Sequence, residues 1–191
     1  MPNLSPTVVA GPLAEYDAAT FRGLLPPDID GVVWDLDKTV VGQDDDWMPQ
    51  EHINLLKGLA DLNLVQGFGS NAKTAERTAR VLNIAHRLSS VIGSEIIAVT
   101  SRMVDGKKKP LRPIFDLAAL KLGIEPEHLC FVGDQLFKDI AGGNNAGYGA
   151  TVLVPPFGKG DDPRVRYVQR PLETVVRPWV GAPLRTKNFG K

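Results

Sequence analysis

The chain has 191 residues, a formal net charge of zero and a single cysteine, Cys130. That length fits one domain with a real core, and the balanced charge gives no argument for a nucleic-acid partner. A lone cysteine excludes an intrachain disulfide and fits a reducing, cytoplasmic setting. The opening Met1-Pro2-Asn3-Leu4-Ser5-Pro6 has no basic region followed by a long apolar run, so no secretory signal is expected. No apolar stretch is long enough to span a bilayer, which leaves peripheral attachment at a membrane open.

Residues 1–30 read as an approach segment, with a short helix from Ala14 to about Leu24 ended by Pro26-Pro27. Gly31-Val32-Val33-Trp34 is a buried parallel strand whose carboxyl end carries Asp35 and Asp37. Pro49 and Gln50 open a helix with Ile53, Leu56 and Leu59 on one face. Leu64 to Gly69 is a second strand and ends in Ser70-Asn71. A helix follows from Ala72 to Leu82, its predicted face formed by Ala75, Ala79 and Leu82. Glu95 to Thr100 is a third strand, and Lys107-Lys108-Lys109-Pro110 lies in the loop behind it. The next helix places Leu111, Phe115, Ala118 and Leu122 together and stops at Gly123. His128 to Gly133 is a fourth strand ending at Asp134, followed by a helix from Leu136 to Ala146 that stops at Gly147. Ala150 to Val154 is a fifth strand.

Alternating strands and helices predict an α/β fold: a three-layer, doubly wound, Rossmann-like parallel sheet of about five strands spanning residues 31–156. Ligands in such sheets sit beyond the carboxyl ends of the strands. Residues 157–191 form a basic tail, in which Arg164, Arg166, Arg170, Arg177, Arg185, Lys187 and Lys191 face one acid, Glu173. With Trp179 and several valines, this tail is expected to help docking on anionic membranes.

The sheet brings a set of polar residues to one edge from about a hundred residues of sequence. Asp35 and Asp37 end the first strand, Ser70 the second, Lys109 follows the third, and Asp134 ends the fourth with Asp139 one turn later. Carboxylates suit Mg²⁺, a hard cation that bridges phosphate oxygens. A lysine and a hydroxyl can hold the remaining phosphoryl oxygens, and a carboxylate can attack phosphorus to form an acyl phosphate.

Asp35-Leu36-Asp37-Lys38-Thr39 resembles the first motif, D-x-D-x-T, of the haloacid dehalogenase (HAD) superfamily. Ser70-Asn71, Lys109-Pro110 and Gly133-Asp134-Gln135-Leu136-Phe137-Lys138-Asp139 resemble its second, third and fourth motifs, in order. G-D-Q-L-F-K-D followed by G-G-N is similar to the phosphatidylglycerophosphate phosphatase branch of the capless subclass IIIA, although Lys38 stands where that branch usually has Asn. The short intervals between Asp37, Ser70 and Lys109 fit no separate cap domain, so the mouth is open or closed by the Val41–Trp47 loop, the tail or a neighbouring subunit.

The resemblance implies a Mg²⁺-dependent phosphomonoester hydrolase. Asp35 is the nucleophile, and Asp37 protonates the leaving oxygen and then activates water. Asp35, the Asp37 backbone carbonyl and Asp134 hold the metal, with Asp139 orienting Lys109 or a metal-bound water. Ser70, Asn71 and Lys109 hold the phosphate. The implied partner is a phosphorylated substrate, with a lipid at a membrane surface favoured over a soluble sugar or nucleotide phosphate. A catalytically silent binding module on the same fold is the third reading. Oligomerisation is left open. Either Lys107 or Lys108 could replace Lys109. Lys38 could contact substrate or pair with Asp44-Asp45-Asp46, and that acidic run reads as a polar loop. Cys130 reads as core, and His52, His86 and His128 have no metal-ligand spacing.

Overall fold

A computed structural model describes residues 3–158. The expectations for the basic tail from residue 159 onward, membrane docking among them, lie outside the described residues. Six strands form one all-parallel sheet: β1 (Val8–Val9), β2 (Gly31–Trp34), β3 (Val65–Ser70), β4 (Ile96–Thr100), β5 (Leu129–Gly133) and β6 (Ala150–Leu153). Their order is β1-β6-β5-β2-β3-β4. The chain leaves β2 toward β3 and β4, then returns to the other side of β2 for β5 and β6. This reversal makes a crevice at the carboxyl ends of β2 and β5, where loops diverge to opposite faces.

One strand more than expected comes from the approach segment. Val8 and Val9 pair with Val152 and Leu153 of β6, and two residues are too few to leave a periodic signal. The predicted helix over 14–24 is broken. A 3₁₀ turn (Leu13–Glu15) is followed by α1 (Ala18–Arg22), because Asp17 stays extended and its carboxylate accepts a hydrogen bond from Thr20 N at 2.7 Å as an N-cap. Phe21, Leu24 and Leu25 from this segment are buried in the core.

Side chains of β2 alternate across the sheet. Val32 and Trp34 enter a core formed with α2 (Gln50–Asp61) and α3 (Ala75–Ile92). Val33 enters a second core with α4 (Pro113–Leu122) and Tyr148. A sheet covered on both faces explains why its strands read as continuous apolar runs. Ile53, Leu56 and Leu59 of α2 are buried as expected. The α3 face differs from expectation: Thr78, Val81, Ala85, Leu88 and Ile92 point inward, whereas Ala75, Ala79 and Leu82 are exposed. The helix runs ten residues past Leu82, so the true stripe lay largely beyond the predicted end. In α4, Ile114, Phe115, Ala118 and Ala119 are buried, and Leu111, before the helix, is exposed. The predicted helix from Leu136 starts as a π-helical turn (Leu136–Ile140) and continues as α5 (Ala141–Ala146). Gly142 in α5 lies so close to the Phe115 ring that a Cβ would sit 2.2 Å from it, which fixes the approach of the two helices.

Candidate active site

The carboxyl ends of β2, β3 and β5 and the loop after β4 converge on one cleft of about 330 Å³, lined by Asp35, Ser70, Asn71 and Lys109 among others. Asp35 leaves β2 with its backbone N–H bonded to Val132 O of β5 at 2.8 Å, so the ladder itself fixes where its carboxylate starts. Of the three consecutive lysines, Lys109 reaches the floor of the site. Its side chain is 1% exposed, and its Nζ donates to Asp35 Oδ1 at 2.5 Å and lies 2.7 Å from Asp139 Oδ1. It also sits over the face of Phe131, 5.0 Å from the ring centroid. Lys108 lines the cleft from an exposed position, and Lys107 does not line it.

Three further contacts hold this floor. Asn71 Oδ1 accepts from Lys109 N at 2.8 Å, which ties the loop after β4 to the end of β3. Ser70 Oγ accepts from Ala72 N at 3.3 Å, while Thr74, not Ser70, caps α3. Asp139 Oδ2 accepts from Gln135 N at 3.0 Å, so the π-helical turn folds its side chain back under the end of β5. Gly133 is required there, because a Cβ would lie 2.5 Å from the Asp139 carboxyl group.

Asp35, Asp134 and Asp139 are all buried and each presents an oxygen within 4.8 Å of the others. Burial pushes the Asp35 carboxyl well above its ordinary range. Lys109 opposes that shift, and Asp139 and Asp134 add to it by like-charge repulsion. For Lys109 burial works downward, but the carboxylates of Asp139 and Asp35 together outweigh it and hold the ammonium above its usual value. Three buried carboxylates around one buried ammonium leave negative charge that a hard, oxygen-binding divalent cation would compensate, so this donor set fits Mg²⁺.

Asp37 occupies the rim rather than the floor. Its Oδ1 accepts from Arg80 Nη1 at 2.9 Å and its Oδ2 from Arg77 Nη2 at 3.5 Å. Arg77 Nη2 also donates to Asp44 Oδ1 at 3.2 Å. Arg80 Nη2 donates to Asp45 O, and its Nε lies 3.4 Å from Asp46 Oδ1, in ion-pair range but without hydrogen-bond alignment. Arg87 donates to Asp46 O and stacks over Trp47. The Asp44–Trp47 loop is therefore strapped to α3 beside the cleft. These arginines were missed from sequence, although Arg77, Arg80 and Arg87 share a helical face and Asp44-Asp45-Asp46 offers the opposite charge. Lys38 lines the same cleft, with a backbone φ of 68° at the turn after Asp37.

Cys130 is buried in β5, and burial drives its thiol up, away from the thiolate. His52 Nδ1 lies 2.8 Å from Val40 O and His128 Nδ1 lies 2.7 Å from Asp28 O; neither joins the carboxylate cluster.

Residues 107–176, which include Lys109, Asp134 and Asp139, match the family model described as HAD-hydrolase-like. A stretch of 79 residues is 42% identical to glyceraldehyde 3-phosphate phosphatase of Methanopyrus kandleri and covers 41% of this chain. It spans 30% of the length of that curated relative. Among solved structures, a HAD-like protein of Mesorhizobium loti gives a TM-score of 0.51 at 18% identity, covering 73% of this chain and 78% of that one. A HAD phosphatase of Thermococcus onnurineus gives 0.47 at 23% identity, covering 61% and 50%. No helix among the described residues is long and apolar enough to cross a membrane. The chain has the parallel α/β fold of the HAD-like hydrolases, and the stretch that supplies Lys109, Asp134 and Asp139 is matched by that family's own model.

Proposed function

We propose that the protein is a metal-assisted phosphomonoester hydrolase working through a phosphorylated Asp35. The observation that carries this reading is the buried Asp35–Lys109–Asp139 array at the switch point of the sheet, with Asp134 beside it. A buried carboxylate gripped by a lysine is poorly hydrated and aimed, as an in-line nucleophile must be. Attack of an Asp35 oxygen on phosphorus breaks the ester bond. Asp37, beyond the floor, gives its proton to the departing alkoxide and then takes one from the water that cleaves the acyl phosphate. Lys109, Ser70 and Asn71 face the transferring oxygens, and Asp139 keeps Lys109 oriented. Asp35 and Asp134, with the Asp37 backbone carbonyl, would hold Mg²⁺, which neutralises charge on the phosphoryl group when bound.

Two readings of the substrate share a phosphorylated three-carbon unit. The G-D-Q-L-F-K-D stretch followed by G-G-N favours phosphatidylglycerophosphate, and Lys38 departs from that branch. The identity to the Methanopyrus kandleri phosphatase favours a soluble triose phosphate. A hydrolysis screen with Mg²⁺ that includes detergent-dispersed phosphatidylglycerophosphate and glyceraldehyde 3-phosphate separates them. EDTA should stop turnover, and Asp134→Ala should raise the Mg²⁺ concentration needed for half activity. Full activity in metal-free buffer would contradict the metal assignment.

A further inference from the structure

Basic residues outnumber acidic ones in the lining of the cleft, five to three. Arg77, Lys108 and Lys138 line the mouth, in addition to the buried Lys38 and Lys109. Lys109 is already matched by Asp35 and Asp139, and Asp37 is the remaining carboxylate among the lining residues. Arg77, Lys108 and Lys138 meet only Asp37 and Asp44 there, and a cluster with more cations than carboxylates draws an anion beyond the reacting phosphoryl group.

Arg77 is the member placed to read such a ligand. Its single Nη2 is shared between Asp37 Oδ2 at 3.5 Å and Asp44 Oδ1 at 3.2 Å, and its side chain is 47% exposed. Long, solvated, divided contacts of this kind are weak and exchange easily. Arg80 differs: it is 14% exposed and keeps a 2.9 Å contact to Asp37 Oδ1. Releasing Arg77 would leave Asp37 anchored by Arg80 yet open one of its oxygens toward the cleft. A guanidinium freed in this way offers a planar fork suited to two oxygens of a phosphate or carboxylate.

We propose that Arg77 is a specificity-determining residue that binds a second anionic group on the leaving-group side of the substrate, exchanging Asp37 and Asp44 for it. The inference rests on the hydrolase reading above, in which Asp37 faces the leaving oxygen. Adding a hydrogen-bond length on either side of the Asp37–Arg77 contact puts the second anion within roughly 9 Å of the scissile ester oxygen. A linker of about three carbons satisfies that span. The second anion could be a lipid phosphodiester or a free acid group of a small metabolite.

The test compares propyl phosphate with 3-phosphonopropyl phosphate, whose phosphonate cannot itself be cleaved, and adds phosphatidylglycerophosphate in detergent micelles. Each is assayed with Mg²⁺ on the wild type, Arg77→Gln and Arg77→Lys. The wild type should prefer at least one dianionic probe over propyl phosphate by about tenfold to a hundredfold in kcat/KM, the range of one charged hydrogen-bonded contact. Arg77→Gln should bring that preference close to one, mostly through KM, and Arg77→Lys should keep part of it. Preference for the phosphonate identifies a small acid, and preference for the lipid alone identifies a phosphodiester; either supports the proposal. Equal use of all three by the wild type overturns it. A parallel fall on every probe in Arg77→Gln also overturns it, since Arg77 would then act only through Asp37. Failure of the wild type to hydrolyse any probe would instead refute the hydrolase reading.

Discussion

At the floor of the cleft Lys109 is 1% exposed and contacts Asp35 and Asp139 at 2.5 and 2.7 Å; at the rim Arg77 is 47% exposed and contacts Asp44 and Asp37 at 3.2 and 3.5 Å. Both are cation–carboxylate clusters, and burial separates them. In low dielectric the floor cannot lose Lys109 without stranding two carboxylates, so its geometry is fixed in advance of any substrate. At the rim Arg77 is solvated, its pairs are weak, and it can trade one anion for another. A preset floor suits the step common to all phosphomonoesters, and an exchangeable rim suits choice among them.

Substitutions should separate the two clusters by size of effect. Asp35→Asn should abolish turnover with the fold intact, because an amide of nearly the same shape is a poor nucleophile; a steady-state assay with a sensitive phosphate readout checks this. Asp37→Asn should slow hydrolysis of a poor leaving group by about 10²- to 10⁴-fold, the usual worth of acid–base help. A loss below about tenfold would move that role to another residue.

Stability should diverge in the same direction. Lys109→Met strands the buried Asp35 and Asp139 and should cost about 3–5 kcal/mol in urea unfolding. Arg77→Gln breaks only solvated pairs and should cost under about 1 kcal/mol. Similar losses for both would erase the distinction between floor and rim.

The smallest effect has an unusual sign. The folded-state pKa of Asp35 is raised, so its contribution to stability is full below the unfolded value of about 3.9 and is lost as pH rises through the folded value. Asn mimics the protonated form and escapes that loss, while Asp139 keeps Lys109 paired. In EDTA at pH 8, Asp35→Asn should therefore melt a few degrees above the wild type, and the gap should shrink toward pH 4. A variant that melts lower at pH 8 would show that the Lys109 contact outweighs burial.

The floor was legible in the sequence because each of its residues ends a strand or follows one. Asp35, Ser70 and Asp134 sit where apolar runs stop, and parallel pairing brings such ends together. Lys109 could not be told from Lys107 and Lys108 by position; the Asn71 bond to its backbone and the space beneath Phe131 select it. The rim was illegible for a different reason. Arg77 and Arg80 meet Asp37 across some forty residues of separation through long polar side chains, and neither apolar periodicity nor motif spacing registers such contacts. Val8–Val9 escaped notice because its place is set by β6, not by its own two residues.

In the proposed reaction Asp35 takes the phosphoryl group. Asp37→Asn, turned over with Mg²⁺ and a good leaving group such as an aryl phosphate, should accumulate the acyl phosphate. Acid quench and borohydride reduction would then convert the modified aspartate to homoserine, which peptide mass spectrometry can locate. Homoserine is expected at position 35. Homoserine at another aspartate, or turnover with no covalent intermediate at position 35, would contradict it.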